Sequence, residues 1–363
     1  MLIVIAPDKF KSTLDSHAVS QAMADGIARS GLEAECIQCP LADGGDGSMD
    51  VVLRHLDGIR TELVVTGPDK ERVPASFAVL DDGRALIEMA SASGLALMKQ
   101  PDALNATSIG TGELIAAASK ASEEIIVFVG GSASTDGGTG AARAIGWGFF
   151  DDDGNTLPLG GGALEELDDI RGASSMHARV IAACDVTNPL IGPDGAARVF
   201  GPQKGANADD VARLERGIER LLEVVSAQLG MNMATLSHGG AGGGMGAGLS
   251  AFFGAELTSG FDFVASAAGL DDALEGADLV ITGEGRLDSA SFSGKVLSGV
   301  VERAKAHGVP CVAIVGSSDL SESACRERGL QEVVTLAELE EGRDAFDAVA
   351  RAAELLVKRV SNS

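Results

Sequence analysis

Short apolar runs alternate along this chain with segments of helical periodicity. Residues 2–6 form a run of the length of a buried strand, and residues 16–30 have the spacing of an amphipathic helix. The last third of the chain repeats the alternation, with apolar runs at 279–282, 311–315 and 332–335. Strands that alternate with helices of this length are typical of parallel sheets covered by helices on both faces. The pattern therefore predicts an α/β fold.

The middle of the chain has a different pattern from its two ends. Residues 62–66 and 76–90 predict a meander of antiparallel strands, and the segments after it are dense in glycine. At 363 residues, the chain is also longer than a single hydrophobic core usually supports. We therefore predict two α/β domains with largely parallel sheets, one domain inserted into the other. The predicted domains are residues 1–65 together with 265–363, and the inserted residues 66–264.

The charge of the chain argues against several classes of partner. The formal net charge is −25, which repels nucleic acid and anionic membranes, so we predict neither as a partner. No run approaches the roughly 18 apolar residues of a membrane helix, and the first run is too short for a signal peptide. Five cysteines, an odd number, favour reduced thiols and a cytoplasmic location. An anionic substrate would need local cations to receive it.

Three loops that combine glycine with polar side chains follow predicted strands. They are DGGDG at 43–47, GGSASTDGG at 130–138 and GEGRLD at 283–288. Ligands of open parallel sheets bind at the carboxyl ends of strands, where these loops are expected. Asp43, Asp46 and Glu284 are candidates for Mg²⁺, because this ion prefers oxygen ligands. One such loop alone would be a simple turn, but their shared position predicts a phosphoryl-transfer site.

Lysine is scarce in the chain, and several of its nine lysines lie in comparable loops. The lysines that we predict to bind anions are Lys9, Lys11, Lys204 and Lys295. For a single lysine a solvated surface position is the usual role, and the loop context is what favours anion binding. Ser132 and Ser134 add hydroxyls to the loop at 130–138, and we predict that they contact phosphate.

The known nucleotide-binding signatures do not match this sequence. Lys295 follows Gly294, but Ser289 stands where a Walker A loop begins with glycine. The segment GGGMGA at 242–247 fits the pattern G-x-G-x-x-A without following a strand, which argues against a dinucleotide site. Seven glycines within residues 239–248 leave two interpretations open. One is a hinge or close helix packing, and the other is a phosphate cradle with Gly243 and Gly244 as contacts.

Six motifs together resemble the bacterial-type (type I) glycerate kinases. They are APDKFK at 6–11, PLADGGDG at 40–47, GGSA at 130–133, ACDVTNPL at 183–190, FGPQKGA at 200–206 and ITGEGRLDS at 281–289. The resemblance is collinear from residue 1 to about residue 320 and implies a two-domain α/β fold. It also implies ATP-dependent phosphorylation of D-glycerate with Mg²⁺, usually to 2-phosphoglycerate and ADP. Ala290 departs from the family, in which glutamine is usual at that position.

The resemblance suggests roles for the candidate residues. Arg286 could hold the glycerate carboxylate with its planar fork, and the lysines could neutralise phosphate oxygens. Asp185 or Asp288 could orient the attacking hydroxyl and accept its proton, and the sequence does not rank the two. The predicted catalytic residues are Asp185, Asp288, Lys9 and Arg286. The residues predicted to bind ATP are Lys11, Ser132, Ser134, Lys204, Lys295, Gly243 and Gly244.

Two functions of other classes remain open from the sequence. A phosphohydrolase could use the same glycine and aspartate loops to activate water. A non-catalytic regulator could bind an anion there without ATP or metal. Dependence of ADP release on glycerate separates these alternatives from a kinase. The sequence makes no prediction of oligomeric state.

Overall fold

The structure, a computed structural model, describes residues 1–10, 13–172, 176–292, 295–338 and 344–361. Its strands are β1 (Leu2–Pro7), β2 (Glu35–Gln38), β3 (Gly58–Thr66), β4 (Arg72–Leu80), β5 (Arg84–Glu88), β6 (Glu124–Val129), β7 (Gly148–Phe150), β8 (Asp169–Arg171), β9 (Arg179–Cys184), β10 (Glu256–Ser259), β11 (Leu279–Leu287), β12 (Cys311–Ser318) and β13 (Leu330–Thr335). Its α-helices are α1 (Ser16–Arg29), α2 (Ser48–His55), α3 (Met89–Ser93), α4 (Ile109–Ala118), α5 (Thr139–Ala144), α6 (Ala196–Phe200), α7 (Ala208–Leu229), α8 (Ala241–Phe253), α9 (Gly260–Ala267), α10 (Leu270–Leu274), α11 (Val296–His307), α12 (Glu322–Glu327) and α13 (Ala345–Val360).

The chain forms two compact units, which we call the terminal unit and the middle unit. The terminal unit comprises Met1–Asp43, Asp50–His55 and Phe261–Ser363, and the middle unit comprises Gly44–Met49 and Leu56–Gly260. Each unit has its own sheet, so the predicted α/β class with two domains and largely parallel sheets is confirmed. The domain boundaries predicted near residues 65 and 265 stay a prediction.

The terminal unit is built on a five-stranded parallel sheet with the order β13-β12-β11-β1-β2. β1 and β11 are neighbours although more than 270 residues separate them along the chain. Helices α1 and α13 pack closely beside this sheet. A Cβ atom on Gly26 would lie 2.0 Å from Ala350 O and 2.8 Å from Ala353 Cβ, so glycine is required at that crossing.

The middle unit contains a six-stranded mixed sheet with the order β10-β9-β6-β5-β4-β3. Strands β5, β6, β9 and β10 are parallel, whereas β3, β4 and β5 form the antiparallel meander. The meander was predicted to continue to residue 90, but β5 ends at Glu88 and α3 begins at Met89. Ser91 Oγ donates to Glu88 O at 2.8 Å, which helps to close the first helical turn there.

Helix α7 shows how local sequence fixes an element of the middle unit. Asn207 and Asp210 form a capping box, in which each side chain accepts from the other residue's backbone N–H. The buried residues of its apolar face follow helical spacing and are Leu214, Ile218, Leu221 and Val225. The helix ends where Gly230 adopts a left-handed conformation, with φ of 69°.

No helix within the described residues is sufficiently long and apolar to cross a lipid bilayer. All five cysteines are free thiols.

Candidate active site

Three carboxylates lie on or shortly after adjacent strands of the terminal unit. Asp8 comes directly after β1, and its N–H donates to Gly283 O of β11 at 2.8 Å. Glu284 is the next residue of β11, and its side chain is buried. After β2 the chain continues beside β1 until it reaches Asp43, which is half-buried. The sheet topology thus groups Asp8, Asp43 and Glu284, which we call the carboxylate cluster.

In the carboxylate cluster, burial and repulsion from neighbouring carboxylates both disfavour the ionised form of Asp8. The pKa of Asp8 is raised from 3.8 to about 8, first by removal from water, then by the charge of Asp43, with a smaller contribution from Glu284. Lys9 acts in the opposite direction, because its N–H donates to Asp8 Oδ1 at 2.7 Å and its ammonium adds positive charge. A bound cation would relieve this repulsion and allow Asp8 to ionise at neutral pH.

The donor set of the carboxylate cluster fits Mg²⁺ that also keeps water and phosphate ligands. Among the described residues, no group of three or more Asp, Glu, His or Cys side chains is arranged to hold a metal ion by itself. Mg²⁺ usually binds through one or two carboxylates and substrate phosphates rather than in an all-protein cage. The cluster offers only oxygen ligands, as Mg²⁺ prefers. Asp8, Asp43 and Glu284 are therefore the residues that would hold the ion.

Arg286 lies on a strand rather than in the loop that the sequence predicts. β11 continues to Leu287 because β12 pairs with it as far as Ser318. The Arg286 side chain is 66% exposed, and its Nε and Nη2 donate to Asp319 Oδ2 at 3.1 and 2.7 Å. The side chain predicted to bind a substrate carboxylate is thus paired with a carboxylate of the protein, which the sequence analysis did not single out.

Asp288 has a clear role in local structure. Ser291 N donates to Asp288 Oδ1 at 3.2 Å, and Asp288 N donates to Ser291 Oγ at 3.0 Å. These reciprocal bonds cap the short 3₁₀ helix Ser289–Phe292. Lys295 is half-buried at the N-cap position of α11. Lys11 lies outside the described residues, so its predicted role stays a prediction.

A buried carboxylate holds the loop that follows β6 in the middle unit. Asp136 is fully buried and accepts from Ser108 N at 2.8 Å, Ser108 Oγ at 2.9 Å and Gly138 N at 3.1 Å. Burial raises the pKa of Asp136, and these hydrogen bonds partly offset that effect. Asp136 therefore anchors the glycine-rich loop at 130–138 from inside the protein.

Backbone hydrogen bonds fix the same loop around Ser132. Leu95 N donates to Gly131 O, and Ala133 N donates to Ser93 O, both at 2.9 Å. Ser132 lies between these two anchors and is buried. The hydroxyl of Ser134 is also buried and has no hydrogen-bond partner among the described residues.

Lys204 is the buried cation of the middle unit. Its side chain follows α6, is 3% exposed, and donates from Nζ to Ser132 Oγ at 2.7 Å and to Ser134 O at 2.6 Å. Burial lowers the pKa of Lys204 from 10.5 to about 8, although the charges of Asp136 and Asp185 act against this shift. The structure therefore brings together Lys204, Ser132 and Ser134, which the sequence analysis assigned to one ligand.

The glycine run at 239–248 leads into α8 and kinks its first turn. Gly242, Gly243 and Gly244 take left-handed conformations in succession, with φ of 64°, 74° and 88°. A Cβ atom on Gly243 would lie 2.1 Å from Ser134 O and 2.9 Å from Lys204 Nζ. Close approach of the backbone to these groups is therefore the reason for glycine at Gly243.

A cavity of about 180 Å³ lies within the middle unit beside these residues. Its lining consists of Leu95, Gly130, Gly131, Ser132, Asp185, Val186, Phe200, Gln203, Lys204, Gly242 and Gly243. Asp185 follows β9, and its Oδ2 lies 2.8 Å from the position of a Cβ on Gly130. The cavity thus combines a buried ammonium, a hydroxyl and a carboxylate.

Asp43 and Asp46, predicted to bind one metal ion, belong to different units. Asp46 is exposed, and its Cβ lies 3.9 Å from the position of a Cβ on Gly131. The following residues are held within the middle unit, because Met49 N donates to Glu88 Oε1 at 2.7 Å. The predicted metal-binding role of Asp46 stays a prediction.

Asp8 is a site residue that the sequence-based predictions did not include. Its signal is its position directly after a buried strand and before Lys9. Asp136, within the predicted loop at 130–138, was not assigned to the site either. Asp319 carried no such signal, since its importance depends on the pairing of β11 with β12.

Comparison with known proteins identifies the family. The sequence profile of the glycerate kinase family matches residues 3–363. The chain belongs to the glycerate kinase family. The resemblance noted from the motifs is thereby confirmed, and the chain is an enzyme that transfers a phosphoryl group to an alcohol acceptor.

Individual relatives agree with this family assignment. The glycerate 2-kinase of Escherichia coli K12 is 41% identical, over 97% of this chain and 96% of the relative. The glycerate kinase of Bacillus subtilis 168 is 40% identical, over 93% of this chain and 90% of the relative. A crystal structure from Salmonella typhimurium LT2 that carries the name glycerate kinase 2 aligns with a TM-score of 0.82 and 39% identity, covering 100% of this chain and 98% of that one.

Proposed function

We propose that the protein transfers the γ-phosphoryl group of ATP to the 2-hydroxyl of D-glycerate, with Mg²⁺ as cofactor. The products are 2-phosphoglycerate and ADP. The name of the Escherichia coli relative, glycerate 2-kinase, supports the choice of hydroxyl. The comparisons offer no support for the phosphohydrolase or the non-catalytic regulator. The five free thiols support a cytoplasmic location as part of the proposal.

The carboxylate cluster is the observation that carries this proposal. Asp8 follows β1, Asp43 lies beyond β2, and Glu284 lies in β11 one residue past its last pairing with β1, at the edge where open parallel sheets bind ligands. Burial, and then the charges of Asp43 and Glu284, raise the pKa of Asp8, and a divalent cation bound there would offset both effects. Mg²⁺ held there would neutralise negative charge on the phosphate oxygens of ATP. Lys9, which lies beside Asp8, would add a fixed positive charge for the same oxygens.

The proposed transfer forms one bond and breaks another. The 2-hydroxyl oxygen bonds to the γ-phosphorus, while the bond from that phosphorus to the β,γ-bridging oxygen breaks and ADP leaves with the electron pair. The hydroxyl proton passes to a carboxylate base. Asp288 already caps a helix, whereas Asp185 lines a cavity that contains a cation. We therefore assign the base to Asp185.

A coupled assay of ADP release tests the proposal. We expect release only when ATP, MgCl₂ and D-glycerate are all present. Asp43→Asn and Glu284→Gln should each lower turnover by roughly a factor of 100 or more at saturating Mg²⁺, because each removes charge from the metal-binding cluster. Glu33→Gln, a change at an exposed residue of the terminal unit, serves as the matched control. ADP release without glycerate would contradict the proposed acceptor, and normal turnover of either cluster variant would contradict the metal site.

A further inference from the structure

The cavity of the middle unit has the size of a small organic acid. Its volume of about 180 Å³ leaves room for a ligand of several heavy atoms, such as a three-carbon hydroxy acid. The polar groups that line the cavity include Ser132, Asp185 and Lys204.

Lys204 has one donor left for a ligand in this cavity. An ammonium group carries three protons, and two of them are accounted for by Ser132 Oγ and Ser134 O. No third acceptor for Lys204 Nζ is found among the described residues. A buried cation of this kind is stabilised when an anion accepts its remaining hydrogen bond.

The position of this ammonium is fixed before any ligand binds. Its two acceptors belong to the loop at 130–138, which Asp136 and the backbone bonds on both sides of Ser132 hold in place. Gly243 of α8 lies close to the same ammonium group, and a Cβ atom at that position would be 2.9 Å from Lys204 Nζ. Such preorganisation reduces the entropy lost when a ligand is bound.

We propose that this cavity is the glycerate subsite, in which Lys204 binds the substrate carboxylate and Asp185 accepts a hydrogen bond from the hydroxyl to be phosphorylated. The inference rests on the proposed function and adds the location of the acceptor. It differs from the roles predicted from sequence. There, Lys204, Ser132 and Gly243 were predicted to bind ATP, and Arg286 was predicted to bind the carboxylate of glycerate. Arg286 is exposed and paired with Asp319, whereas Lys204 is buried and has a donor free for an anion.

Direct binding measurements separate the two assignments. Isothermal titration of the full-length protein with D-glycerate, and separately with ATP and MgCl₂, gives a Kd for each ligand. Lys204→Met keeps the length of the side chain and removes its charge, so we expect the glycerate Kd to rise by roughly tenfold to a hundredfold. The ATP Kd should change by less than about threefold. Lys120→Met, at an exposed lysine of the same unit, is the matched control and should change neither value.

Two further variants keep the test decisive if Lys204→Met does not fold. Ser132→Ala removes one acceptor of Lys204 and leaves the charge, so a smaller rise in the glycerate Kd is expected with the ATP Kd unchanged. Arg286→Lys should leave the glycerate Kd unchanged. A selective rise of the ATP Kd in the Lys204 or Ser132 variant, or of the glycerate Kd in Arg286→Lys, would overturn the proposal.

Glycerol distinguishes carboxylate recognition from general polarity. It has the hydroxyls of glycerate without the carboxylate, so the wild-type protein should bind glycerate far more tightly, and Lys204→Met should remove most of that preference. Equal preference in both proteins would overturn the assignment of Lys204. If the wild-type protein binds glycerate by Lys204 but forms no phosphoglycerate from ATP, the proposed function fails while the subsite stands.

Discussion

Asp8 is a carboxylate whose ionisation depends on the charges around it. Its pKa in the folded protein is about 8, against 3.8 for the ordinary group. Between pH 3.8 and pH 8, the folded state therefore keeps a proton on this carboxyl that the unfolded state has released. The stabilisation from this group is therefore complete below pH 3.8 and is lost as the pH rises towards 8. This loss comes first from burial and then from the charge of Asp43, and a cation bound at the cluster would offset it.

The variant Asp8→Asn should lose this dependence on pH. Asparagine cannot ionise, so the variant should not share the loss of stability that the wild type shows as the pH rises. Without Mg²⁺, the free energy of unfolding of the variant relative to that of the wild type should therefore increase by on the order of 2–4 kcal/mol from pH 5 to pH 8.5. Urea denaturation at both pH values measures the difference. Addition of Mg²⁺ should stabilise the wild type more than the variant, which keeps only two of the three carboxylates. The same pH dependence in both proteins would contradict the origin given for the raised pKa.

Lys204 titrates in the opposite sense and controls binding rather than folding in our account. Its pKa is about 8, with Asp136 and Asp185 as the charged groups facing it. As the pH rises above 8 the free ammonium loses its charge, so the glycerate Kd should rise about tenfold per pH unit. Titration calorimetry at pH 7, 8, 9 and 10 tests this. Glycerate binding that stays constant over the range would exclude Lys204 as the carboxylate partner.

At the scale of elements, helix α8 makes the clearest prediction. Both Gly243 and Gly254 are left-handed, with φ of 74° and 66°. In Gly243→Ala the new Cβ would clash with Ser134 O, whereas in Gly254→Ala no atom lies within 4 Å of it. We expect Gly254→Ala to cost about 1 kcal/mol of unfolding free energy, from backbone strain alone. Gly243→Ala should cost at least about 2 kcal/mol more, because a close contact is added to the strain.

Urea denaturation of both α8 variants, with the wild type beside them, measures this difference. Gly254 thus serves as a control for the conformational part of the effect, since both glycines are left-handed. Equal destabilisation of the two variants would mean that the close approach at Gly243 is relieved by small shifts of its neighbours. In that case the glycine would be required for its backbone conformation only.

The elements that sequence predicts best are the buried parallel strands. β1, β6 and β12 are covered on both faces, so their apolar residues run without interruption and are visible in the sequence. Helix α3 could not be predicted from sequence, because the apolar pattern of β5 continues into it. Helix α8 could not be predicted either, because it begins with three left-handed glycines that pack against the loop at 130–138.

The candidate site, too, could be predicted from the sequence only in part. The strand-end rule leads from sequence to Asp43 and Glu284, and the scarcity of lysine leads to Lys204. It cannot show that Lys204 is buried against Ser132, or that Arg286 is paired with Asp319, because those contacts join segments far apart along the chain. The sequence therefore shows which charged residues are candidates for the site, whereas the contacts of each charge are known only from the folded structure.

At the scale of the whole molecule, the net charge of −25 opposes the approach of both anionic substrates. The Debye length falls from about 30 Å at 0.01 M to about 8 Å at 0.15 M salt, so added salt should screen this repulsion. We predict that kcat/KM for glycerate rises between these two ionic strengths at constant free Mg²⁺. A fall in kcat/KM would mean that local cations such as Lys9 and Lys204 outweigh the overall charge during encounter.

The central claim is that the protein phosphorylates the 2-hydroxyl of D-glycerate with ATP. ³¹P NMR of the product formed from ATP, MgCl₂ and D-glycerate tests it most directly, because the phosphorus of a 2-phosphate couples to one proton and that of a 3-phosphate to two. We predict a doublet from 2-phosphoglycerate that grows in step with ADP. A triplet from 3-phosphoglycerate would contradict the choice of hydroxyl, and signals from ADP and inorganic phosphate without any phosphoglycerate would contradict the kinase itself.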